Sequence, residues 1–352
     1  MKKIVSTTLK ILIPLLIAAL ILYFTYRNYD FSRLANDIKR INWHWLAAAL
    51  AFSAFGPLFR GLRWNLLLEP IGHKVPRKDT VLTVFTGYAT NIVIPRVGEV
   101  FRCSILERNA GVPFSKGLGT LVAERVVDAF LLVLITLAGI LSQFKQFKLL
   151  INPDNTSPAA EAETLLISTS ESDIPFFRSP TFLWIIVILS LILLLWLYHR
   201  KFHLGYKIKN FIREFKEGFL SLRHISRLPL FIFYSIGIWV CYYLELYLAF
   251  YSLPSTAAIG PLAGFACFAV SNVAVLIPTP NGAGPWNFAI VKMLGIYGVP
   301  EIDAQPLSLV LHSCQTIIYL LCGLIAWIVL KIIHHFDEPQ QKRTVKTKQI
   351  KI

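Results

Sequence analysis

The sequence is short of charge. Only 16% of its 352 residues are Asp, Glu, Lys or Arg, against 55% that are apolar. Soluble domains carry about a quarter charged residues. The mean hydropathy of +0.58 excludes a disordered or collagen-like chain and makes one large water-soluble domain untenable. The five cysteines, Cys103, Cys241, Cys267, Cys314 and Cys322, form no C-x-x-C and lie in or beside apolar segments. They read as small core residues, with no disulfide expected. No nucleotide-binding loop, Ser triad, Cys–His pair or metal-ligand spacing occurs, and His44, His73 and His312 lie far apart. No cofactor and no metal are expected, and the protein is not expected to be an enzyme.

What the sequence has is long apolar runs, which point to an all-α polytopic membrane protein. The net charge is +15, from 35 Lys and Arg against 20 Asp and Glu. Such an excess would suit nucleic acid, but here it sits in short stretches between apolar runs, as in cytoplasmic loops. No nucleic-acid partner is expected. Met1-Lys2-Lys3 and the run Ile11–Tyr26 imitate a signal peptide, but no small-x-small cleavage site ends the run. It is expected to be an uncleaved first span. Further spans are expected at Ile41–Phe59, Gly117–Leu141, Thr181–His199, Pro229–Leu244 and Gln305–Leu330.

Two regions do not fit simple spans. The first is Thr80–Lys116, in which the charge-free stretch Val81–Pro95 runs into the polar Arg96-Val97-Gly98-Glu99. The second is Leu246–Val291, which has no charge and holds five prolines. As a straight helix it would be about 69 Å long, more than two bilayer cores. Flank charges set the topology. Residues 60–78 carry +5 and −1, 96–116 carry +4 and −2, 200–227 carry +8 and −2, and the tail from Lys331 carries +6 and −2. These read as cytoplasmic, while 143–180, with +3 and −5, reads as outside. Both termini are then inside. The elbow 27–42, at a net +2, goes against the rule. Six full spans plus two re-entrant broken segments satisfy the other flanks; the alternative is eight or more spans.

The order of elements repeats with opposite orientation, which predicts an inverted-topology repeat. Residues 1–142 form the first membrane repeat, 143–180 an extracytoplasmic loop, 181–335 the second repeat and 336–352 a basic cytoplasmic tail. The breaks read alike: Asn91-x-x-x-Pro95 against Asn272 followed by Pro278-x-Pro280. Proline frees backbone groups that lipid cannot satisfy, so both breaks are expected to line a polar cavity near the midplane. An ordinary surface loop between short spans is the alternative.

Charges cluster at the first break: Arg96, Glu99, Arg102, Glu124, Arg125 and Asp128. Glu99 and Arg102 share a helix face, as do Glu124 and Asp128. Two readings stand. One is a structural ion-pair network. The other is an anion seat, in which arginine forks grip a phosphate. Asn91, Asn281, Gly282 and Gly284 join the candidate binding residues, at the two breaks. Glu245 and His312, isolated in apolar spans, are candidates for proton coupling. Residues 201–220 alternate aromatic and basic side chains, the pattern of an interfacial helix on anionic lipid.

Three motifs in order, Asn91-Ile-Val-Ile-Pro95-Arg96-Val-Gly98-Glu99-Val-Phe-Arg102, Glu124-Arg125-Val-Val-Asp128 and Pro278-Thr-Pro280-Asn-Gly282-Ala-Gly284, resemble the flippase-like membrane domain of lysylphosphatidylglycerol synthases. That domain also occurs alone in bacterial inner-membrane proteins, and the resemblance implies that location. In full-length synthases a cytosolic aminoacyl-transfer domain follows, and the membrane part moves the product to the outer leaflet. That domain is not seen in this chain, so lipid synthesis is not expected of it. The family often has an acidic residue just after the Gly-rich stretch, where this chain has Pro285-Trp286-Asn287, and an Arg near the position of His312.

The leading expectation is a lipid translocase or lipid-binding transporter for an anionic or zwitterionic headgroup. Arg96, Arg102 and Arg125 would hold the phosphate, and Glu99 and Asp128 would orient them. The alternatives are a transporter of a small polar solute or ion and a membrane-embedded lipid-modifying transferase. Membrane lipids are the expected partners, with a second copy of the chain or a separate lipid-synthesising enzyme as further candidates.

Overall fold

Backbone N–H and C=O groups in lipid must be paired within the chain, so apolar runs of membrane length become helices. The computed structural model describes residues 2–144 and 206–349, and their regular elements are all helical. The first stretch holds α1 (Lys2–Tyr26), α2 (Leu34–Arg40), α3 (Trp43–Leu68), α4 (Arg77–Val93), α5 (Val97–Ala110) and α6 (Phe114–Ser142). The second holds α7 (Tyr206–Leu220), α8 (Leu228–Phe250), α9 (Pro261–Ala274), α10 (Pro285–Ile296) and α11 (Glu301–Gln349). Among the described residues, α3, α6, α8 and the Glu301–His334 part of α11 are long and apolar enough to cross a membrane. Pro14–Tyr26 and Pro261–Ala274 are shorter apolar helices. The chain is an all-α membrane protein.

Met1–Gln143 and Glu214–Ile352 form one compact unit. Of the second unit, Phe144–Arg213, the described residues include only Phe144 and the start of α7. The expected span 181–199 and loop 143–180 lie outside the described residues, but for Gln143 and Phe144.

Within the first unit α3 pairs along its length with α8. Two hairpins of shorter helices flank this pair. One is α4–α5, which packs through α4 on α11; the other is α9–α10, which packs through α9 on α6. Without a hydrophobic drive between helices in lipid, close approach depends on small residues. Gly61 lies against the Val81 backbone, and Gly323 against Ala89. The hairpin α9–α10 is tied down by polar contacts as well. Asn287 donates to the Tyr26 hydroxyl at 3.2 Å and to Ser308 Oγ at 3.1 Å. Gln305, donating to the Thr25 carbonyl at 2.8 Å, joins α11 to α1.

The second apolar run ends at Phe59, yet its helix continues through Arg60 and Arg63 to Leu68. These two arginines belong to a buried helix face and not, as the charge pattern suggested, to a cytoplasmic loop. The reason is that acids on α6 neutralise them, so their charge does not force the chain into water. Lys74, Arg77 and Lys78 against Glu69 still leave the following segment basic.

Both hairpins turn at a proline followed by a left-handed residue: Pro95-Arg96, with φ 63° at Arg96, and Pro280-Asn281, with φ 51° at Asn281. These are the only non-glycine residues with positive φ among those described. In the first hairpin the backbones of Gly87 and Gly98 touch, and Asn91 Oδ1 accepts the Gly98 N–H at 2.8 Å, capping α5. A Cβ on Gly98 would collide with the Gly87 carbonyl oxygen. Gly98→Ala is therefore expected to destabilise the fold by about 1–3 kcal/mol, the cost of overpacking. A lowered Tm in detergent would register it, and an unchanged Tm would refute the contact.

Candidate functional site

Charged groups from three helices meet beside the first hairpin. Arg63, fully buried on α3, donates to Asp128 Oδ1 at 2.7 Å and to Glu124 Oε1 at 3.2 Å. Arg60, one turn earlier, donates to Asp128 Oδ2 at 2.9 Å. Arg102 from α5 pairs with Glu124, and its guanidinium lies 4.4 Å from the centre of the Trp64 ring. Trp64 is itself fixed by a 2.9 Å hydrogen bond from its indole N–H to Thr120. Arg125 is set apart by being 37% exposed, and it reaches Glu99 at 3.3 Å and Asp128 at 3.5 Å. Helix spacing produces this pattern. Arg60 and Arg63 share one face of α3, Glu124 and Asp128 share one face of α6, and the two faces oppose each other.

The network opens onto two adjoining cavities. The larger, of about 380 Å³, has Arg60, Arg125 and Asp128 on one side and Asn272, Leu276 and Asn281 of the second hairpin on another. Trp239, Tyr242 and Glu245 of α8 and His312, Gln315 and Tyr319 of α11 complete much of its wall. The smaller, of about 130 Å³, is lined by Asn91, Glu99 and Arg102 and shares Arg60, Tyr88 and Arg125 with the larger. Tyr88 and Tyr242 join their hydroxyls at 2.6 Å at this junction.

The expected site residues therefore separate. Arg125, Asp128, Asn281, Glu245 and His312 face the larger cavity; Asn91, Glu99, Arg102 and again Arg125 face the smaller. Glu124 lies behind the network with no exposed surface and lines neither. Gly282 and Gly284 shape the second turn with φ 77° and 91° and also line neither. Arg96 stands outside both cavities and donates to the Leu276 carbonyl at 2.7 Å, joining the first break to the second. Asn281 donates to Thr316 at 2.9 Å, its carbonyl lies 3.2 Å from His312 Nε2, and His312 stacks on Trp286.

Sequence reasoning missed Arg60 and Arg63, although their spacing was a usable signal. It also missed Tyr88, Tyr242 and Tyr319, for which no local pattern exists. Among the described residues no group of three or more His, Cys, Asp or Glu side chains converges on a metal position.

Residues 11–323 match the family described as the lysylphosphatidylglycerol synthase TM region. The chain belongs to this family. Two UPF0104 membrane proteins of Methanocaldococcus jannaschii are similar to it. MJ1595 is 21% identical over 336 residues, covering 93% of this chain and 95% of the relative. MJ1078 is 27% identical over 218 residues, covering 60% and 81%. The glycosyltransferase AglD of Haloferax volcanii is 30% identical over 95 residues, which span 27% of this chain and only 14% of that protein.

In this family member Arg63 is expected to be indispensable to the fold. Arg63→Ala would leave Glu124 and Asp128 short of a buried partner, at a cost of about 3–5 kcal/mol. Unfolding in detergent should show a loss of that size, with a much smaller loss for Arg125→Gln, whose side chain water can reach. Equal losses for the two variants would contradict this division of the network.

Proposed function

We propose that this protein is a lipid translocase or lipid-binding transporter that carries a phospholipid or modified lipid through the cavity between the two hairpins. The observation that carries the reading is that Arg60 and Arg125 face a cavity walled by both broken segments. A phosphate would take the Arg125 fork from Glu99, because that guanidinium is the most accessible of the four in the network. Arg60, Arg63 and Arg102 are committed to Asp128 and Glu124 and would hold the field in place rather than grip the ligand. The family match supports a role in lipid metabolism or transport. No covalent chemistry is assigned to the site.

The packing supports an inverted repeat. If α3 corresponds to α8, α4 to α9, α5 to α10 and α6 to α11, the pairing of α4 with α11 matches that of α9 with α6. The two left-handed residues after proline fall at matching turns. In this reading the cavity lies where the repeats meet, both termini are cytoplasmic, and rocking of one repeat against the other alternates access. The Arg96 contact with Leu276 would then be a gate between the breaks.

Native mass spectrometry of the detergent-purified protein tests the reading. Arg125→Gln should lower retention of the bound phospholipid about tenfold, the scale of one charge-assisted contact, with Tm nearly unchanged. Retention that follows the bulk membrane in wild type and variant alike would sink the proposal. Arg96→Ala should leave retention intact and slow or abolish transfer between leaflets of proteoliposomes. Unchanged transfer would remove the gate.

A further inference from the structure

Glu245 has no part in the charge network. It lies within α8 and lines the larger cavity, yet it is only 4% exposed. One of its carboxyl oxygens is closed to water and has no hydrogen-bond partner. Among the described residues no cation pairs with it; its polar neighbour is the amide of Gln315.

The titratable groups around it are neutral or already engaged. Cys241 and Tyr242 share its helix, α11 brings Tyr319 and His312, and α4 brings Tyr88. His312 Nε2 lies 3.2 Å from the Asn281 carbonyl, and Tyr88 and Tyr242 join their hydroxyls. On the cavity wall α9 has Phe268, Ser271 and Asn272, none of which titrates. Arg60 from α3 and Arg125 and Asp128 from α6 are paired within the network.

An ionised carboxylate without a cation is costly at this depth. A metal ion or an ammonium needs an oxygen it can touch, and the sealed oxygen offers neither of them room. A proton needs no space beyond the oxygen that carries it. The seal has a second consequence. Water does not reach that oxygen in this conformation, so a proton enters or leaves it only when the wall formed by α8 and its neighbours opens. The motion that alternates access to the cavity is also the motion that exposes the carboxyl.

We infer that Glu245 is a proton-binding site, occluded in this conformation, and that movement of lipid through the cavity is coupled to that proton. The O–H bond of the carboxyl forms with a proton from water on one side of the membrane and breaks to water on the other; no other bond changes. This assignment rests on the lipid reading above and adds its energy source.

The full chain is reconstituted in vesicles of phosphatidylethanolamine and phosphatidylglycerol, with either lipid labelled on an acyl chain as the probe. A pH gradient is imposed while potassium and valinomycin clamp the membrane potential. In wild type a gradient of one pH unit should shift the distribution of a transferred probe between leaflets about tenfold, for one proton per lipid. Glu245→Gln, a neutral isostere, should still exchange the probe but leave it evenly distributed. Infrared spectra of the two proteins give a readout independent of transport: a protonated-carboxyl band in wild type should be absent from the variant. If wild type exchanges a probe and the gradient leaves it evenly distributed, or if no such band is lost, the proton site is wrong and the lipid reading survives. If neither probe moves faster than in protein-free vesicles, the lipid reading fails and the coupling with it.

Discussion

The fold depends on neutralising charge where water is scarce. Arg63 has no exposed surface, and it binds two carboxylates from α6. A single guanidinium fork thereby fixes α3 against α6, and Glu124 passes the constraint to α5 through Arg102. A pair buried this deeply contributes little net stability compared with an apolar replacement, but removing one member leaves an orphan charge. The arrangement therefore specifies one register of three helices. It also leaves Arg125, the most exposed of the four guanidiniums in the network, presented to the cavity.

The two hairpins solve a second problem of the apolar medium. Each breaks its helix at a proline, and the freed groups find partners inside the protein. Asn91 caps the N-terminus of α5, Asn287 accepts the Gly284 N–H, and Arg96 reaches across to the Leu276 carbonyl. Irregular backbone at membrane depth is tolerated where protein or a cavity meets it. Here the breaks and the cavity occur together, with guanidiniums on its wall toward α3 and α6 and the Glu245 carboxyl toward α8. An aromatic junction of Tyr88, Tyr242 and Tyr319 stands between them.

Much of this was legible without coordinates. Apolar runs identified α3, α6, α8 and the membrane-length part of α11, and prolines identified both breaks. Spacings of three and four residues placed Glu99 with Arg102 and Glu124 with Asp128 on common helix faces. The same rule applied to Arg60 and Arg63 would have extended the second span. A charge after an apolar run, however, also resembles a loop flank. A local pattern does not reveal that acids 61 to 68 residues away will neutralise it.

Composition and periodicity determined that the chain is helical, membrane-embedded and broken twice, because hydrophobic length and backbone satisfaction are local properties. Which arginines are locked and which is presented depends on distance between helices. Arg102 and Arg125 look equivalent as residues, yet one is buried against Trp64 and Glu124 while the other is a third exposed and also reaches the larger cavity. Glu245 reads as an isolated acid in a span. It becomes part of a cavity wall only once α3, α6 and α11 enclose that cavity with it, since the neighbours of a buried polar group are set by tertiary contact.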